Sequence, residues 1–165
     1  MKKLATSLFR AFTLGRADTE RESSDASMNY KNHKWSNAKG VIGGHEALLR
    51  RNETLLGITH SEYPYTLIVS LLFKELDQSG IPSNSSEIAR ADLTEEAIAD
   101  ALFEKFGGLF SLSIATQGTR DIFIMFREPV KENFIESAIA VCEPKIDFGL
   151  QFVEDPKWQP YFKFL

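Results

Sequence analysis

Hydrophobic and polar positions alternate most clearly in the stretch YPYTLIVSLLFKE. Every second residue from Tyr65 to Phe73 is apolar, so these side chains would share one face of a β-strand. Ile68 and Leu72 are apolar on the opposite face, which is typical of a strand that is covered on both sides. The pattern therefore predicts a central strand here.

Two later segments show the same period of two. The stretch LFSLSIATQGTRDIFIMFRE predicts a β-hairpin that turns at Gln117-Gly118. On its first strand, three large apolar residues would face one way and three small residues the other: Phe110, Leu112 and Ile114 against Ser111, Ser113 and Ala115. On its second strand, two sets of apolar residues would lie on opposite faces: Ile122, Ile124 and Phe126 against Phe123 and Met125. The stretch KIDFGLQFVED predicts a last strand.

Two other segments have apolar residues at helical spacing. In ADLTEEAIADALFEKFGG, Asp92 and Glu95 match a capping box, and Gly107 would end the helix. In EPVKENFIESAIAVCEP, Pro129 would occupy the first turn and Pro144 would stop the helix. We expect each helix to pack its apolar stripe on a sheet.

From residue 63 onward the predicted order is strand, helix, strand, strand, helix, strand. This is the order of the ferredoxin-like βαββαβ sandwich, in which right-handed crossovers place both helices on one face of the sheet. Upstream, Gly43-Gly44 lies between short apolar runs and predicts a tight hairpin turn. We therefore expect one α+β domain over residues 30–165, with a ferredoxin-like core at 63–165 and an N-terminal β-hairpin extension.

Residues 1–29 differ from the rest of the chain and are expected to form an N-terminal arm. The apolar residues near its start lie at helical spacing among basic ones, as in a short amphipathic helix: Leu4, Leu8, Phe9 and Phe12. Residues 15–27 are polar, like a linker. Arg10 interrupts the apolar run, so the segment does not match a signal peptide. Such a helix either docks on a membrane surface or a partner, or packs on its own domain.

The stretch EDPKWQPYFKFL is rich in aromatic residues. Asp155 and Pro156 can cap and start a helical turn. Apolar side chains then recur at helical spacing: Trp158, Tyr161 or Phe162, and Leu165. We interpret the stretch as a tail that folds back and seals one edge of the core. The alternative is an exposed aromatic peptide that docks on another protein.

Composition narrows the classes of function. The 165 residues carry a net charge of -4, which disfavours a general affinity for nucleic acid or anionic lipid. Cys142 is the single cysteine, so the sequence predicts no intramolecular disulfide and no cysteine-based metal site. No apolar stretch is long enough to span a membrane. These features favour a cytoplasmic location.

The sequence contains no recognisable catalytic or cofactor-binding motif. His33, His45 and His60 do not lie at the spacing of a helical metal pair, and the nucleophile elbow, the P-loop and the dinucleotide glycine motif are missing. Cys142 would lie near the C-terminus of a helix, which disfavours a thiolate. We expect no enzyme activity, no cofactor and no metal.

The predicted open face of the sheet is a candidate surface for a partner protein. It would carry the apolar residues Phe123 and Met125 and no lysine or arginine. RNA-binding sheets of this type use aromatic residues together with basic ones, so this face suits a protein better than RNA. We expect either a partner protein or the N-terminal hairpin to cover it.

The basic residues form a second candidate contact surface. Arg50 and Arg51 are followed by Asn52, and Arg120 lies at the predicted hairpin turn. Such residues bind an acidic partner, or they lie at solvated strand ends. An alternative is a shallow hydrolase-like or ligand-binding site built from Arg50, Arg120, Asn52 and His45.

The chain also contains the motif D-P-x-W-x-x-Y near its end and several other pieces in a fixed order: Trp35, LLRRNETL, YPYTLIVSLLF, SGIPS and ATQGTRDIFIMF. Together these pieces resemble a bacterial family known as a domain of unknown function, number six hundred ninety-five. That family is similar in fold to regulator B of ribonuclease E. The resemblance implies a ferredoxin-like domain that binds another protein, and it implies no catalytic residue.

The leading hypothesis from the sequence is a non-enzymatic, cytoplasmic α+β module that acts by protein–protein contact. It would be either a regulator of an RNA-processing enzyme or an immunity-type inhibitor of a toxin.

Overall fold

The computed structural model describes residues 33–78, 80–142, 146–155 and 157–163. Its strands are β1 Trp35–Ile42, β2 His45–Asn52, β3 Tyr65–Leu72, β4 Leu109–Thr116, β5 Thr119–Phe126 and β6 Phe148–Glu154. Its helices are α1 Ser85–Phe106, α2 Glu132–Ile139 and α3 Gln159–Lys163, with short 3-10 helices at Glu53–Gly57 and His60–Glu62. The six strands form one antiparallel sheet in the order β1-β2-β4-β5-β3-β6. The predicted mixture of helices and antiparallel strands is confirmed.

The predicted N-terminal hairpin is present, and it extends the sheet at one edge. Gly43 and Gly44 have φ angles of 60° and 90°, which glycine adopts without strain, and Ile42 pairs with His45 across the turn. Strand β2 then pairs with β4. The hairpin is one of the two expected covers for the open face. It does not lie across that face but continues the sheet beside β4, and its Ala47 and Leu49 pack in one cluster with Phe123.

Helix α1 begins earlier than the sequence pattern predicted. The Asn84 side chain accepts a hydrogen bond from the Ser86 N–H at 2.9 Å, so Asn84 is the N-cap. Asp92 and Glu95 consequently lie inside the helix, and the predicted capping box is wrong. The predicted end is confirmed, because Gly107 has the left-handed conformation of a helix C-cap. Helix α2 begins at Glu132, after Pro129, which does not occupy its first turn.

The main core lies between one face of the sheet and the helices α1 and α2. It combines alternate residues of β3 and β5 with the apolar stripes of both helices, including Leu67, Val69, Leu71, Ile122, Ile124, Ile98, Leu102, Ile135 and Ala138. These side chains are almost fully buried. The predicted alternation in β3 and β5 is thus the pattern that builds the core.

A β-bulge in β4 changes which residues face the helices. Phe110 pairs with Ile124 and Leu112 pairs with Phe123, so Ser111 is an extra residue between them. Beyond the bulge, Leu112 and Ile114 pack on the face away from α1, in a second cluster with Ala47, Leu49 and Phe123. The prediction that Phe110, Leu112 and Ile114 share a face is wrong, because one inserted residue reverses every later side chain.

The aromatic tail packs into a third cluster of the core. Trp158 and Tyr161 are fully buried beside Leu55, Tyr63, Leu109 and Met125. The Trp158 Nε1–H donates to the Tyr63 carbonyl at 2.8 Å, and the Asp155 carboxylate accepts from the Gln159 N–H at 2.6 Å. The predicted burial of the tail is confirmed for this part of the chain. The helix begins at Gln159, later than predicted, although Asp155 accepts a hydrogen bond from its first N–H, and Pro156 lies outside the described residues. The predicted contact of Leu165 and the predicted helix at Leu4–Phe12 lie outside the described residues.

Candidate functional site

A groove lies between α1 and the helix-side face of the β1–β2 hairpin. Strand pairing sets Arg50 beside Ser113, and both side chains reach Glu95 on α1. Ser113 points this way because the bulge has reversed the end of β4. The groove has a volume of about 440 Å³, and its charged and polar lining residues are Asn37, Lys39, Arg50, Asp92, Glu95, Ser113 and Arg120. We call it the arginine groove.

Glu95 organises the floor of the arginine groove. Its side chain is only 1% exposed. Its Oε1 accepts a hydrogen bond from Arg50 Nη1 at 2.9 Å, and its Oε2 accepts one from the Ser113 hydroxyl at 2.7 Å. Arg120 Nη1 lies 3.7 Å from the same Oε2. One buried carboxyl group therefore orients two guanidinium groups that come from different strands.

Burial raises the pKa of Glu95 above its ordinary value, because the carboxylate loses water that would stabilise its charge. The guanidinium of Arg120, the hydroxyl of Ser113 and the guanidinium of Arg50 oppose this rise, in that order. Asp92 adds a smaller repulsion that raises the pKa further. The site thus holds an ionisable group whose charge is costly to bury.

Further contacts fix the two arginines. Arg50 lies over the ring of Trp35, with Cζ 4.4 Å from the ring centroid, and Arg120 lies 5.8 Å from the ring centroid of Phe73. Arg120 also forms an ion pair with Asp92 on α1. The Asp92 side chain is 55% exposed, so this ion pair lies at the mouth of the groove.

Exposed apolar side chains adjoin these charges on the same face of the hairpin. Leu48 is 40% exposed and Val41 is 52% exposed. Leu48 pairs with Lys39 across the two strands, and Arg50 lies two positions along β2 on the same face. We call the side chains on this face the hairpin face: Asn37, Lys39, Val41, Glu46, Leu48 and Arg50. It combines apolar and cationic side chains with one exposed carboxylate, Glu46, which is paired with Val41 across the two strands.

The structure brings together only part of the ligand site that the sequence suggested. Arg50 and Arg120 meet at Glu95. Asn52 is fully buried instead, where its amide donates to the Phe110 carbonyl at 2.8 Å and its own carbonyl accepts the Tyr161 hydroxyl. His45 lies at the hairpin turn and does not line the groove. The four-residue constellation is therefore not assembled.

The other candidate residues lie elsewhere in the molecule. Arg51 is buried on the far face of β2, where it pairs with Glu53 at 3.3 Å. Phe123 is buried in the second cluster and Met125 in the third. Their side chains are inaccessible in this structure, and their role in partner contact stays a prediction.

The remaining histidines and the cysteine do not form a site in the described residues. His33 contacts the Asn52 amide at 2.8 Å, and His60 packs on Trp158 and Phe162. Burial raises the pKa of the Cys142 thiol. Within residues 33–163, as far as they are described, no group of three or more His, Cys, Asp or Glu is placed to hold a metal ion.

Sequence reasoning missed Glu95, Asp92, Ser113 and Lys39 as members of the site. One signal was available for Glu95. This residue is in helical register with Ile98 and Leu102, so the stripe that packs on the sheet contains a carboxyl group. A charged residue on an apolar stripe requires a buried partner. Ser113 offered no such signal, because its direction depends on the bulge.

The described residues form a small mixed α/β domain, with one antiparallel sheet, two helices on one face and an arginine groove beside them. The chain belongs to a family described as a family of unknown function, DUF695, which matches residues 33–165. Among curated proteins and among solved structures, no significant match is found. None of the helices in the described residues is both long enough and apolar enough to cross a membrane.

Proposed function

We propose that this chain is a non-enzymatic module that binds a partner protein through the hairpin face and the arginine groove. One observation carries the proposal. Helices α1 and α2 pack over the centre of the sheet, whereas the helix-side face of the hairpin presents Leu48 and Val41 to solvent next to Arg50. Protein interfaces combine apolar residues and arginine in this way.

The arrangement of charges favours binding over catalysis. General acid–base or nucleophilic chemistry needs a reactive group that is free to exchange a proton with a substrate. Glu95 instead accepts hydrogen bonds from Arg50 and Ser113 beneath the surface. At the groove mouth, the Asp92 carboxylate is paired with Arg120. The guanidinium groups of Arg50 and Arg120 bind anions and do not transfer protons at neutral pH.

The topology supports a relation to the ferredoxin-like fold. Strands β4-β5-β3-β6 are adjacent in that order, and helices α1 and α2 pack on one face of them. The β1–β2 hairpin would be an addition to that unit. By this reading the chain is a distant relative of regulator B of ribonuclease E, acting in the cytoplasm on an RNA-processing enzyme or, alternatively, on a toxin.

A site-specific photo-crosslinking experiment tests the proposed surface. A photoreactive residue at Leu48 should capture a partner protein in cells, whereas the same residue at Leu93, which is exposed on the outer side of α1, should not. The captured protein is then purified and its affinity measured by calorimetry. We expect Leu48→Glu to weaken binding by at least about tenfold, or 1.4 kcal/mol, and Leu93→Glu to leave it unchanged.

Equal capture at both positions, or an affinity that Leu48→Glu does not reduce, would contradict the proposed surface. Loss of affinity in both variants would mean that the substitutions perturb the fold, which circular dichroism would reveal.

The size of the groove favours a second candidate, the binding of a small anionic molecule between Arg50 and Arg120. A volume of about 440 Å³ lies within the range of ligand pockets. Native mass spectrometry of the purified protein tests this candidate. If the wild-type protein carries an added mass that is absent from the Arg50→Gln variant, the result would favour a small-molecule ligand over a protein partner.

A further inference from the structure

We infer that the partner presents an extended acidic segment, and that one of its carboxylates takes the place of Asp92 on Arg120. This inference rests on the proposed function and names the chemistry of the occupant. It follows from the charges, the exposure and the shape of the arginine groove.

The cations of the groove exceed the carboxylates that remain available to them. Lys39, Arg50 and Arg120 line it. Glu95 is buried beneath them, so its charge orients the two arginines and does not reach the surface. Asp92 is the exposed carboxylate among the lining residues. Inside the groove, an incoming anion therefore meets two guanidinium groups and an ammonium group, against one surface carboxylate. A second exposed carboxylate, Glu46, lies on the hairpin face opposite Val41, at the end away from Arg50.

The ion pair with Asp92 keeps the Arg120 side chain in the position in which it could bind an incoming carboxylate. The Arg120 side chain is largely buried against Phe73, whereas the Asp92 side chain is more than half exposed. Asp92 can therefore rotate into water while another carboxylate forms the same ion pair. Arg120 stays paired before and after the exchange, so binding avoids the cost of ordering a flexible cation or of leaving it unpaired.

The shape of the site favours an extended peptide over a compact ligand. The groove is open, and it is bordered by β1, which is the last strand of the sheet in the described part of the chain. An extended segment lying along such an edge presents alternate side chains to one face. On the hairpin face that spacing would set an acidic side chain near Lys39 and an apolar one near Val41 or Leu48.

Nucleic acid fits the same surface less well. The chain carries a net charge of -4. Binding of single-stranded nucleic acid relies on exposed aromatic rings for stacking. The Trp35 ring, which contacts the groove residue Arg50, is covered by that guanidinium on one face and packs on Phe110, with the ring centroids 4.7 Å apart.

A nuclear magnetic resonance titration tests the inference with a defined probe. Labelled protein is titrated with a short, terminally blocked peptide of alternating leucine and glutamate. We expect shifts in the backbone amide signals of Leu48, Arg50 and Ser113. A peptide of alternating leucine and lysine should not produce them. Millimolar peptide makes even weak binding visible.

Two charge variants and one matched control complete the test. Asp92→Asn removes the carboxylate that competes for Arg120, while Glu95 and Phe73 still hold the arginine in place, so it should tighten binding of the acidic peptide about fivefold. Lys39→Glu should weaken binding about fivefold. Lys131→Glu makes the same charge change at an exposed position before α2 and should leave the affinity unchanged. Lys39 and Lys131 are exposed surface positions, so neither variant threatens the fold.

Three outcomes would overturn the inference. The first is that the acidic peptide gives no shifts in the groove. The second is that the lysine peptide or a single-stranded RNA oligonucleotide gives the same shifts. The third is that the affinity does not respond to Asp92→Asn and Lys39→Glu. If one of these outcomes is found but Leu48→Glu still weakens binding of the crosslinked partner, the proposed function stands and the inference of an acidic segment is wrong. If that partner shows no dependence on Leu48, the proposed function itself fails.

Discussion

Glu95 is a carboxyl group on a helical stripe that otherwise packs apolar side chains on the sheet. It shares that stripe with Ile98 and Leu102. Replacing a buried ion pair with apolar side chains of similar volume often leaves a protein equally stable or more stable. Stability alone therefore gives little reason for this group. Its physical consequence is that Arg50 and Arg120 are held in fixed positions beside the groove.

The substitution Glu95→Gln tests the cost of this charge through pH. Because burial raises the pKa of Glu95, the native state holds the proton more tightly than the unfolded chain does. The wild-type free energy of unfolding therefore falls as the pH rises from the ordinary pKa, 4.5, through the raised one. The glutamine variant lacks this component. We therefore expect the difference in the free energy of unfolding, variant minus wild type, to increase with pH. Urea denaturation at a series of pH values measures this difference.

The matched control for this prediction is Glu96→Gln. It removes a carboxylate from the same turn of α1 at an exposed position, and it should change the free energy of unfolding by less than about 0.5 kcal/mol at every pH. If the difference in the free energy of unfolding, Glu95→Gln minus wild type, decreases as the pH rises, the prediction is wrong. The arginines would then lower the pKa of Glu95 by more than burial raises it.

Individual residues of the groove could be predicted from the sequence only where their type was unusual. Arg50 and Arg120 stood out as basic residues beside apolar strands. Glu95 did not, because its spacing from Asp92 also fits a capping box. The true N-cap of α1, Asn84, lies in a polar stretch that resembles a loop. The hydrogen bond from the Ser86 N–H to the Asn84 side chain identifies it as the cap.

At the scale of elements, the bulge in β4 explains both the second cluster and the groove. An alternating pattern in the sequence assigns each residue of a strand to one face of the sheet, but it does not reveal where a bulge inserts an extra residue. Before the bulge, Phe110 faces the helices, as predicted. After it, Leu112 and Ile114 face away, and Ser113 reaches Glu95. The existence of the strand, its length and its partner were predictable. The face of the sheet to which its side chains point after the bulge was not.

Deletion of Ser111 tests the role of the bulge. Without the extra residue, one half of β4 must change faces, which would place either Phe110 or Ser113 in the wrong environment. We expect the deletion variant to lose its cooperative unfolding transition and its near-ultraviolet circular dichroism.

Ser111→Ala is the control, because it keeps the residue count. It removes only the hydrogen bond from the Ser111 hydroxyl to the Phe123 carbonyl, 3.0 Å long, and should cost about 1 kcal/mol. A deletion variant as stable as Ser111→Ala would mean that the sheet can absorb the shift in register.

At the scale of the whole molecule, the tail connects parts of the chain that are distant in sequence. The Trp158 indole donates to Tyr63, before β3, and the Tyr161 hydroxyl donates to the Asn52 carbonyl, at the end of β2. Both aromatic side chains also pack on Leu109 and Met125 of the central strands. The hairpin that carries the proposed interface is thus tied to the core through the tail.

Trp158→Ala measures how much this connection contributes. The substitution removes a fully buried indole and leaves the Tyr63 carbonyl without its donor, so we expect the free energy of unfolding to fall by roughly 3–5 kcal/mol in urea denaturation. Lys157→Ala, at the exposed neighbouring position, should change it by less than about 0.5 kcal/mol. A loss under about 1 kcal/mol for Trp158→Ala would contradict the sealed tail. The hairpin would then be held by its pairing with β4, by the second cluster and by the ion pair between Arg50 and Glu95, without support from the C-terminal segment.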